Sequence, residues 1–470
     1  MNTGASARSE PHPACTGADL HAFAARLYPI CRSITGNGVR KTLELIRGRI
    51  PLKIHEVPSG TRVFDWTIPD EWNIEDAAVY DSHGQRVIDF QAHNLHLVSY
   101  SEPVRASMSL EELTPRLHSL ADHPAWIPYR TSYYRRNWGF CLRSADREAL
   151  RPGRYRVEID SALGPGSLTY GELAIPGRTS AEVLFFTHVC HPSLANDNTS
   201  GMAIATALAE WIASEPRTFT YRFVFAPGTI GSLTWLKRNE SRLERIRHGL
   251  VLALLGDRGG LTYKSSRRGT AEIDAIVAYV LQDMAHGRVI PFSPYGYDER
   301  QLCSPGFDLP VGRLTRSVNG GYPQYHSSAD DLQLLGPECL EESLEACRRI
   351  VTVIEANRRY LNLSPKGEPR LGVRGLYGSM GGGAPAQREH AMLWILSQSD
   401  GSRSLLEVAR TSGIAFPVLQ EAAGALEAAD LLAPVKSAAE ARRTRRAPVP
   451  RSTAKAARRP HSQHARRRKK

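Results

Sequence analysis

The segment THVCHPSLANDNTSG (187–201) sets two imidazoles, His188 and His191, three residues apart, then a carboxylate, Asp197, in a loop of small polar residues. An apolar run, VLFFTH (183–188), leads into it, and GMAIATALAEWIAS (201–214), apolar at helical spacing, leads away. A metal hydrolase needs such ligand types converging from separate segments, with one position open for water. Two later loops offer the rest. Asp257 closes the apolar run HGLVLALLGD, and His326 stands in YPQYHSSADDL. The set His188, Asp197, Asp257 and His326 suits a borderline cation such as zinc, as one or two ions. His191 is an extra ligand or a substrate contact. Each residue also has a plainer reading. A histidine beside a strand can be structural, Asp197 or Asp330 can cap a helix, and Asp257 can form a turn.

Such a site needs a scaffold, and the pattern along the chain supplies one. Residues 18–51 read as two helices parted by the turn SITGNG. Residues 52–165 hold short alternating runs rich in Val, Ile, Tyr and Trp, a β-rich insert. Over 166–362 strands alternate with helices (VLFFTH, YRFVFAP and HGLVLALLGD are the strands), which predicts a mostly parallel sheet with helices on both faces. Such sheets carry their chemistry at the carboxyl ends of the strands, where the polar clusters fall. Residues 338–360 read as a helix ending in NRRY, and the Gly/Pro-rich stretch 363–385 as a linker. Residues 386–435 give three short helices in a helix-turn-helix pattern.

The net charge of +12 is local. Residues 441–470 hold 13 Lys and Arg and no acid, so setting them aside leaves about −1 for the rest. The stretch 436–470 lacks apolar periodicity and is expected to be a disordered basic tail, open to nonspecific nucleic-acid binding through counterion release or to a solubilising role. The recognition-helix candidate FPVLQEAAGALEAADLL carries Glu421, Glu427 and Asp430, with Gln420 its sole base-reading group. Phosphate would repel it, so the winged-helix module is expected to take a protein partner or to pack. No apolar run is long enough to span a membrane and no signal-peptide pattern opens the chain. The seven cysteines are scattered without a CxxC pair, which fits reduced thiols in the cytoplasm.

Longer strings carry a resemblance. LYPICRSITGNGVR, FDWTIPDEW, HNLHLVSYS, IPYRTSYYRRNWGFC, THVCHPSLANDNTSG, TYKSSRRG, YDERQLCSPGFDLPVGRL and YHSSADDL span residues 27–332. The chain resembles a bacterial family known by its aminopeptidase-like domain and otherwise of unassigned function. The resemblance implies a zinc-aminopeptidase-like α/β core, a β-rich insert and a C-terminal winged-helix domain. In peptidases with that core a strand-end His, an Asp shared between two metals, a further acid and a late His bind the metal. Those roles fall on His188, Asp197, Asp257 and His326.

The chain departs from the pattern twice. Cys190 stands where the peptidases have an Asp that orients the first imidazole. Related sequences read Pro-Glu-Thr-Ile-Gly-Ser after the second core strand, the Glu resembling a general base. Here the string is PGTIGS, and the position is Gly228. Glu299, in YDERQ, is the substitute acid that composition offers, and a surface residue is its other reading.

Three functions follow as expectations. The first is a metal-dependent hydrolase acting on a small-molecule or peptide-like substrate that contains an amide. The second is a catalytically impaired relative that binds a metal or ligand in the same cleft, favoured by Gly228. The third is a DNA-associated regulator, against which the acidic helix speaks. The resemblance also implies a link to surface-polysaccharide or specialised-metabolite biosynthesis.

Overall fold

A computed structural model of the chain describes residues 15–318, 321–376 and 387–435. The chain divides into two compact units, Met1–Ala356 and Asn357–Lys470.

The first unit is built on an eight-stranded mixed sheet. Its strands, in chain order, are β1 (Lys53–Pro58), β2 (Ser167–Ile175), β3 (Glu182–His188), β4 (Thr220–Ala226), β5 (Ile246–Leu252), β6 (Thr262–Lys264), β7 (Arg288–Ile290) and β8 (Val311–Thr315). Their spatial order is β1-β2-β4-β3-β5-β8-β6-β7. The four central strands β4, β3, β5 and β8 are parallel neighbours. Every residue of β3 is buried, as is nearly all of β4 and β5. Parallel strands covered on both faces must be apolar throughout, which is why these runs do not alternate.

Around this sheet stand the helices α1 (Gly17–Leu27), α2 (Asn37–Arg47), α3 (Gly201–Ala213), α4 (Ile230–Asn239), α5 (Glu272–Gln282), α6 (Glu299–Leu302) and α7 (Pro337–Ala356), while the insert carries two short ones, Leu110–Leu113 and Ser144–Glu148. One packed group joins α1, α3, α5 and α7, and another joins α4 and α6. The start of α3 lies so close to the sheet that a Cβ on Gly201 would come within 2.7 Å of the Leu252 carbonyl oxygen. Glycine at that place lets the 195–200 loop sink against β5.

The insert forms a separate antiparallel sheet, with Arg86–Asp89, Glu71–Tyr80, Arg154–Gly164 and Val104–Ser109 side by side. β1, which the sequence groups with the insert, belongs to the core sheet. The alternation in KIHEVP fits either sheet. Its register on β2, from Lys53 opposite Glu172 to Pro58 opposite Ser167, decides the matter.

The second unit carries helices Gln387–Gln398, Leu405–Ser412 and Phe416–Ala428, with a small sheet of Asp400–Ser404, Arg359–Asn362 and Leu432–Pro434. This is a helix-turn-helix with a wing. The NRRY end read as helix is different here: α7 stops at Ala356 and Arg359–Asn362 is the wing's central strand, burying Tyr360 between exposed neighbours. Residues 377–386 of the linker and the basic tail 436–470 lie outside the described residues.

Candidate metal centre

β3 ends at His188, and the chain turns from there through His191 into the fully buried 195–200 loop. This local path brings three donors together. His188 Nε2 lies 2.7 Å from Asp197 Oδ1, and His191 Nδ1 lies 3.2 Å from the same oxygen. The other carboxylate oxygen, Oδ2, meets His326 Nε2 at 3.0 Å. Asp197 is fully buried, His188 nearly so, and His326 is about one-third exposed. One carboxylate thus faces three imidazoles, one of them opening to solvent.

Burial alone would push the Asp197 carboxyl up. The charge of His191 and the contacts from His188 and His326 outweigh it and hold the carboxyl well below the usual range. Asp330 stands directly behind. It accepts the backbone N–H groups of Asn196 (2.6 Å) and Asp197 (3.1 Å) and the Tyr322 hydroxyl (3.2 Å). Burial, with the Asp197 charge added, pushes the Asp330 carboxyl up to about 8.

Aromatic rings wall the cluster. Tyr297 stacks on His188 at 4.7 Å and Tyr325 on His326 at 3.9 Å. Tyr129 stands edge-on to both His191 and His326. Tyr129 comes from the segment read as insert. Its backbone N–H bonds the His326 carbonyl at 2.9 Å, and Pro128 bridges Ser327, so the insert completes the site.

The backbone is strained around the same centre. Ser193 (φ 40°), Thr229 (59°), Leu254 (54°) and His326 (57°) all adopt left-handed conformations without being glycine. Such residues concentrate at functional sites, where surrounding structure holds them in place.

The structure thus gathers His188, His191, Asp197 and His326. It places Asp257 one step back, outside that cluster. Its Oδ2 accepts from Asn196 Nδ2 (2.8 Å) and the Ser317 N–H, and its Oδ1 from the Gly259 N–H and the Ser317 hydroxyl (both 2.7 Å). Four donors engage this carboxylate, which ties the loops together. Glu299 is likewise engaged elsewhere. It is fully buried, 2.5 Å from Lys264 Nζ and 3.5 Å from Arg313 Nη1, and accepts the Tyr297 N–H. Cys190 takes the Gly228 N–H on its sulfur at 3.2 Å, and burial pushes its thiol up to about 12, so it stays neutral. A Cβ on Gly228 would lie 3.5 Å from that sulfur and 3.9 Å from His188 Cβ, so residue 228 abuts the centre. The tyrosine wall, Asp330 and Asp298 were not singled out as site residues by the sequence. Asp298, in YDERQ beside Glu299, had a signal within one residue of it.

A sheet of this order with ligand-type side chains at the carboxyl ends of its parallel strands defines an aminopeptidase-like α/β protein. Residues 21–357 match the family described as a domain of unknown function, DUF4910, and the chain belongs to it; residues 358–434 match a winged helix-turn-helix family. A Clostridium acetobutylicum protein, named for polysaccharide biosynthesis and an aminopeptidase-like domain, is 50% identical over 419 residues, covering 89% of this chain and 96% of its own. A crystal structure from C. acetobutylicum, provisionally described as a peptidase, superposes with a TM-score of 0.85 at 48% identity, covering 89% of this chain and 96% of that one. The zinc aminopeptidase BSAP of Bacillus subtilis shares the fold, with a TM-score of 0.53 at 12% identity over 73% of this chain and 96% of its own.

Proposed function

We propose that this chain is a metal-dependent, aminopeptidase-like hydrolase of a small amide-containing substrate, with zinc held by His188, Asp197 and His326 and joined by His191. The supporting observation is one buried carboxylate facing three imidazoles. The donor set fits a cation. Ligand atoms of His188, His191 and Asp197 all lie within 4.8 Å of one another. His191 Nδ1 is buried without a hydrogen-bond partner although Asp197 Oδ1 is 3.2 Å away. A buried ring nitrogen without a well-aligned hydrogen bond, beside a carboxylate, is open to a shared cation. A bound zinc supplies Lewis acidity to the scissile carbonyl and acidifies water.

The chain's own groups do the rest. Asp330 fixes Asp197 through its backbone, and the rings of Tyr297 and Tyr325 fix the planes of His188 and His326. Tyr129, Tyr297 and Tyr325 pack on the imidazoles where a small or peptide-like substrate would meet the metal. The name of the C. acetobutylicum relative makes a substrate from polysaccharide biosynthesis a fitting choice. The seven unpaired cysteines suit the cytoplasm, and no helix among the described residues is long and apolar enough to cross a membrane.

The test is elemental analysis of protein prepared without chelator, followed by zinc titration. About one or two zinc ions per chain are expected, lost in His188→Ala with His326→Ala. A wild-type protein that neither carries nor takes up zinc would sink the reading. A second reading, a binding protein that has lost hydrolysis, draws on Gly228; tight zinc binding without turnover of any amide would favour it.

A further inference from the structure

Asp298 occupies the turn that faces the start of α4. It is 1% exposed. Its Oδ1 accepts the Thr229 N–H at 2.9 Å, one residue after Gly228. Its Oδ2 is buried with no well-aligned hydrogen bond; the nearby Ser232 hydroxyl gives its hydrogen to the Thr229 carbonyl instead, at 2.9 Å. Among the described residues, no Lys, Arg or His lies within ion-pair distance of it. A buried carboxylate oxygen left unpaired is costly, by roughly 1–3 kcal/mol or more, and native structures keep such atoms for a reason. Burial pushes the Asp298 carboxyl up, while the nearby His188 works in the opposite direction. Asp298 also adds to the negative field at Cys190, whose sulfur receives the Gly228 N–H.

These contacts put one carboxylate against the 228–229 turn and in the field of His188. The resemblance puts the missing acid at residue 228, and Gly228 and Thr229 are both half-buried, so the turn is partly open to solvent. Glu299, next along the chain, points its charge into the Lys264 and Arg313 pair instead. Resting on the hydrolase reading above, we propose that Asp298 is the proton-accepting carboxylate of this site, filling the role left vacant at Gly228. Water gives a proton to Asp298 Oδ2 as its oxygen bonds to the amide carbonyl carbon. The C–N bond then breaks, and the same proton passes to the leaving nitrogen. The acid is regenerated as carboxylate, so no further reactant is needed.

The competing account is that Asp298 only holds the start of α4. Asp298→Asn separates the two. An amide keeps an oxygen for the Thr229 N–H but cannot take a proton. The probe is an amino-acid hydroxamate, such as leucine hydroxamate, titrated calorimetrically into zinc-loaded protein; its acidic proton must go to the site's base as it binds. Asp298→Asn is expected to weaken hydroxamate binding about 10-fold or more, the worth of a hydrogen bond to a charged group. Zinc content and the melting temperature of the metal-free protein should stay at wild-type values. Turnover of any amide substrate should fall about 10²–10⁴-fold. Adding Gly228→Glu to Asp298→Asn should restore hydroxamate binding, which a helix-holding role does not foresee. Equal hydroxamate affinity in wild type and Asp298→Asn would overturn the assignment while leaving the zinc site intact. Zinc-loaded wild type that ignores the hydroxamate would instead overturn the hydrolase reading, and this inference with it.

Discussion

His326 Nε2 meets Asp197 Oδ2 at 3.0 Å across 129 positions of sequence. The contact closes the side of Asp197 opposite His188, so the carboxylate's two oxygens serve two different parts of the chain. The loop carrying His326 is tied in as well. Asp330, four residues on, accepts the Asp197 N–H, and Tyr322, four residues before, donates its hydroxyl to Asp330. The late loop therefore grips the early one through backbone and side chain together.

Removing that grip should be felt in stability and in metal binding. Asp330→Ala leaves two buried N–H groups without an acceptor, Asn196 and Asp197. A loss of about 2–4 kcal/mol in unfolding free energy is expected. Zinc affinity should drop about 10–100-fold, the usual consequence of loosening a group that orients a ligand. Denaturant unfolding and zinc competition against a chelator check the two; a variant unchanged in both would show that the grip is unimportant.

What the sequence revealed and what it hid divide along contact distance. His188, His191 and Asp197 lie within ten residues, after an apolar strand and before a helix, so a local pattern was enough to group them. His326 entered through ligand type and family resemblance. The role of Asp330 was hidden because a carboxylate before a helix looks like a cap, whereas the two backbone N–H groups it accepts are more than 130 positions away. Glu299 and Asp298 show the limit at its finest. They are adjacent, and a step of one residue at the start of a helix turns the side chain by about 100°. One acid therefore meets Lys264 and the other meets the Thr229 N–H. Composition cannot tell them apart. Tyr129 was invisible as a site residue because the β-pairing that delivers it joins Pro128 to Ser327.

Gly228→Glu should leave turnover of simple aminoacyl amides nearly unchanged in the wild type, where Asp298 already takes the proton, and raise it about 10-fold or more in Asp298→Asn. There is room for the change. A Cβ there meets only ordinary contacts, with Cys190 Sγ at 3.5 Å and His188 Cβ at 3.9 Å. Steady-state hydrolysis of an aminoacyl p-nitroanilide reads the outcome. No gain when Gly228→Glu is added to Asp298→Asn, with zinc content unchanged, would refute it.

Acid should destabilise the fold above the pH range in which ordinary carboxylates protonate. His248, on β5, is 4% exposed, and burial, with Arg247 adding to it, pushes its imidazole down to about 4. Its Nδ1 has no hydrogen-bond partner. The folded value lies below the value near 6.5 expected of the unfolded chain, so the unfolded state takes the proton first as pH falls. The stability tied to neutral His248 is whole above about pH 6.5 and is lost as pH falls toward 4. The amount is on the order of 3 kcal/mol. His93, pushed down to about 4 by burial and by His96, acts in the same direction. Melting temperatures of metal-free protein at pH 7.5 and 5 should diverge more in wild type than in His248→Gln. Equal falls in both proteins would assign the acid sensitivity elsewhere.

The basic tail, not the helix-turn-helix, should account for any nucleic-acid binding. All 13 basic residues of 441–470 lie beyond Glu440, and the remainder of the chain carries about −1. The helix Phe416–Ala428 presents Glu421 and Glu427, and Arg388, on the first helix of that module, is spent on Glu421 at 3.3 Å. A helix so charged is repelled from phosphate and has little with which to read base edges. Binding through the tail should ignore sequence and weaken steeply between about 50 and 200 mM salt. It should disappear on truncation after Glu440, which leaves all three helices of the module in place. Fluorescence anisotropy with two unrelated duplexes, over a salt series, measures each of these. If the truncated protein still preferred one duplex, the acidic helix would have to be reading it, and the winged helix would be a DNA-binding module after all, not a surface for a protein partner.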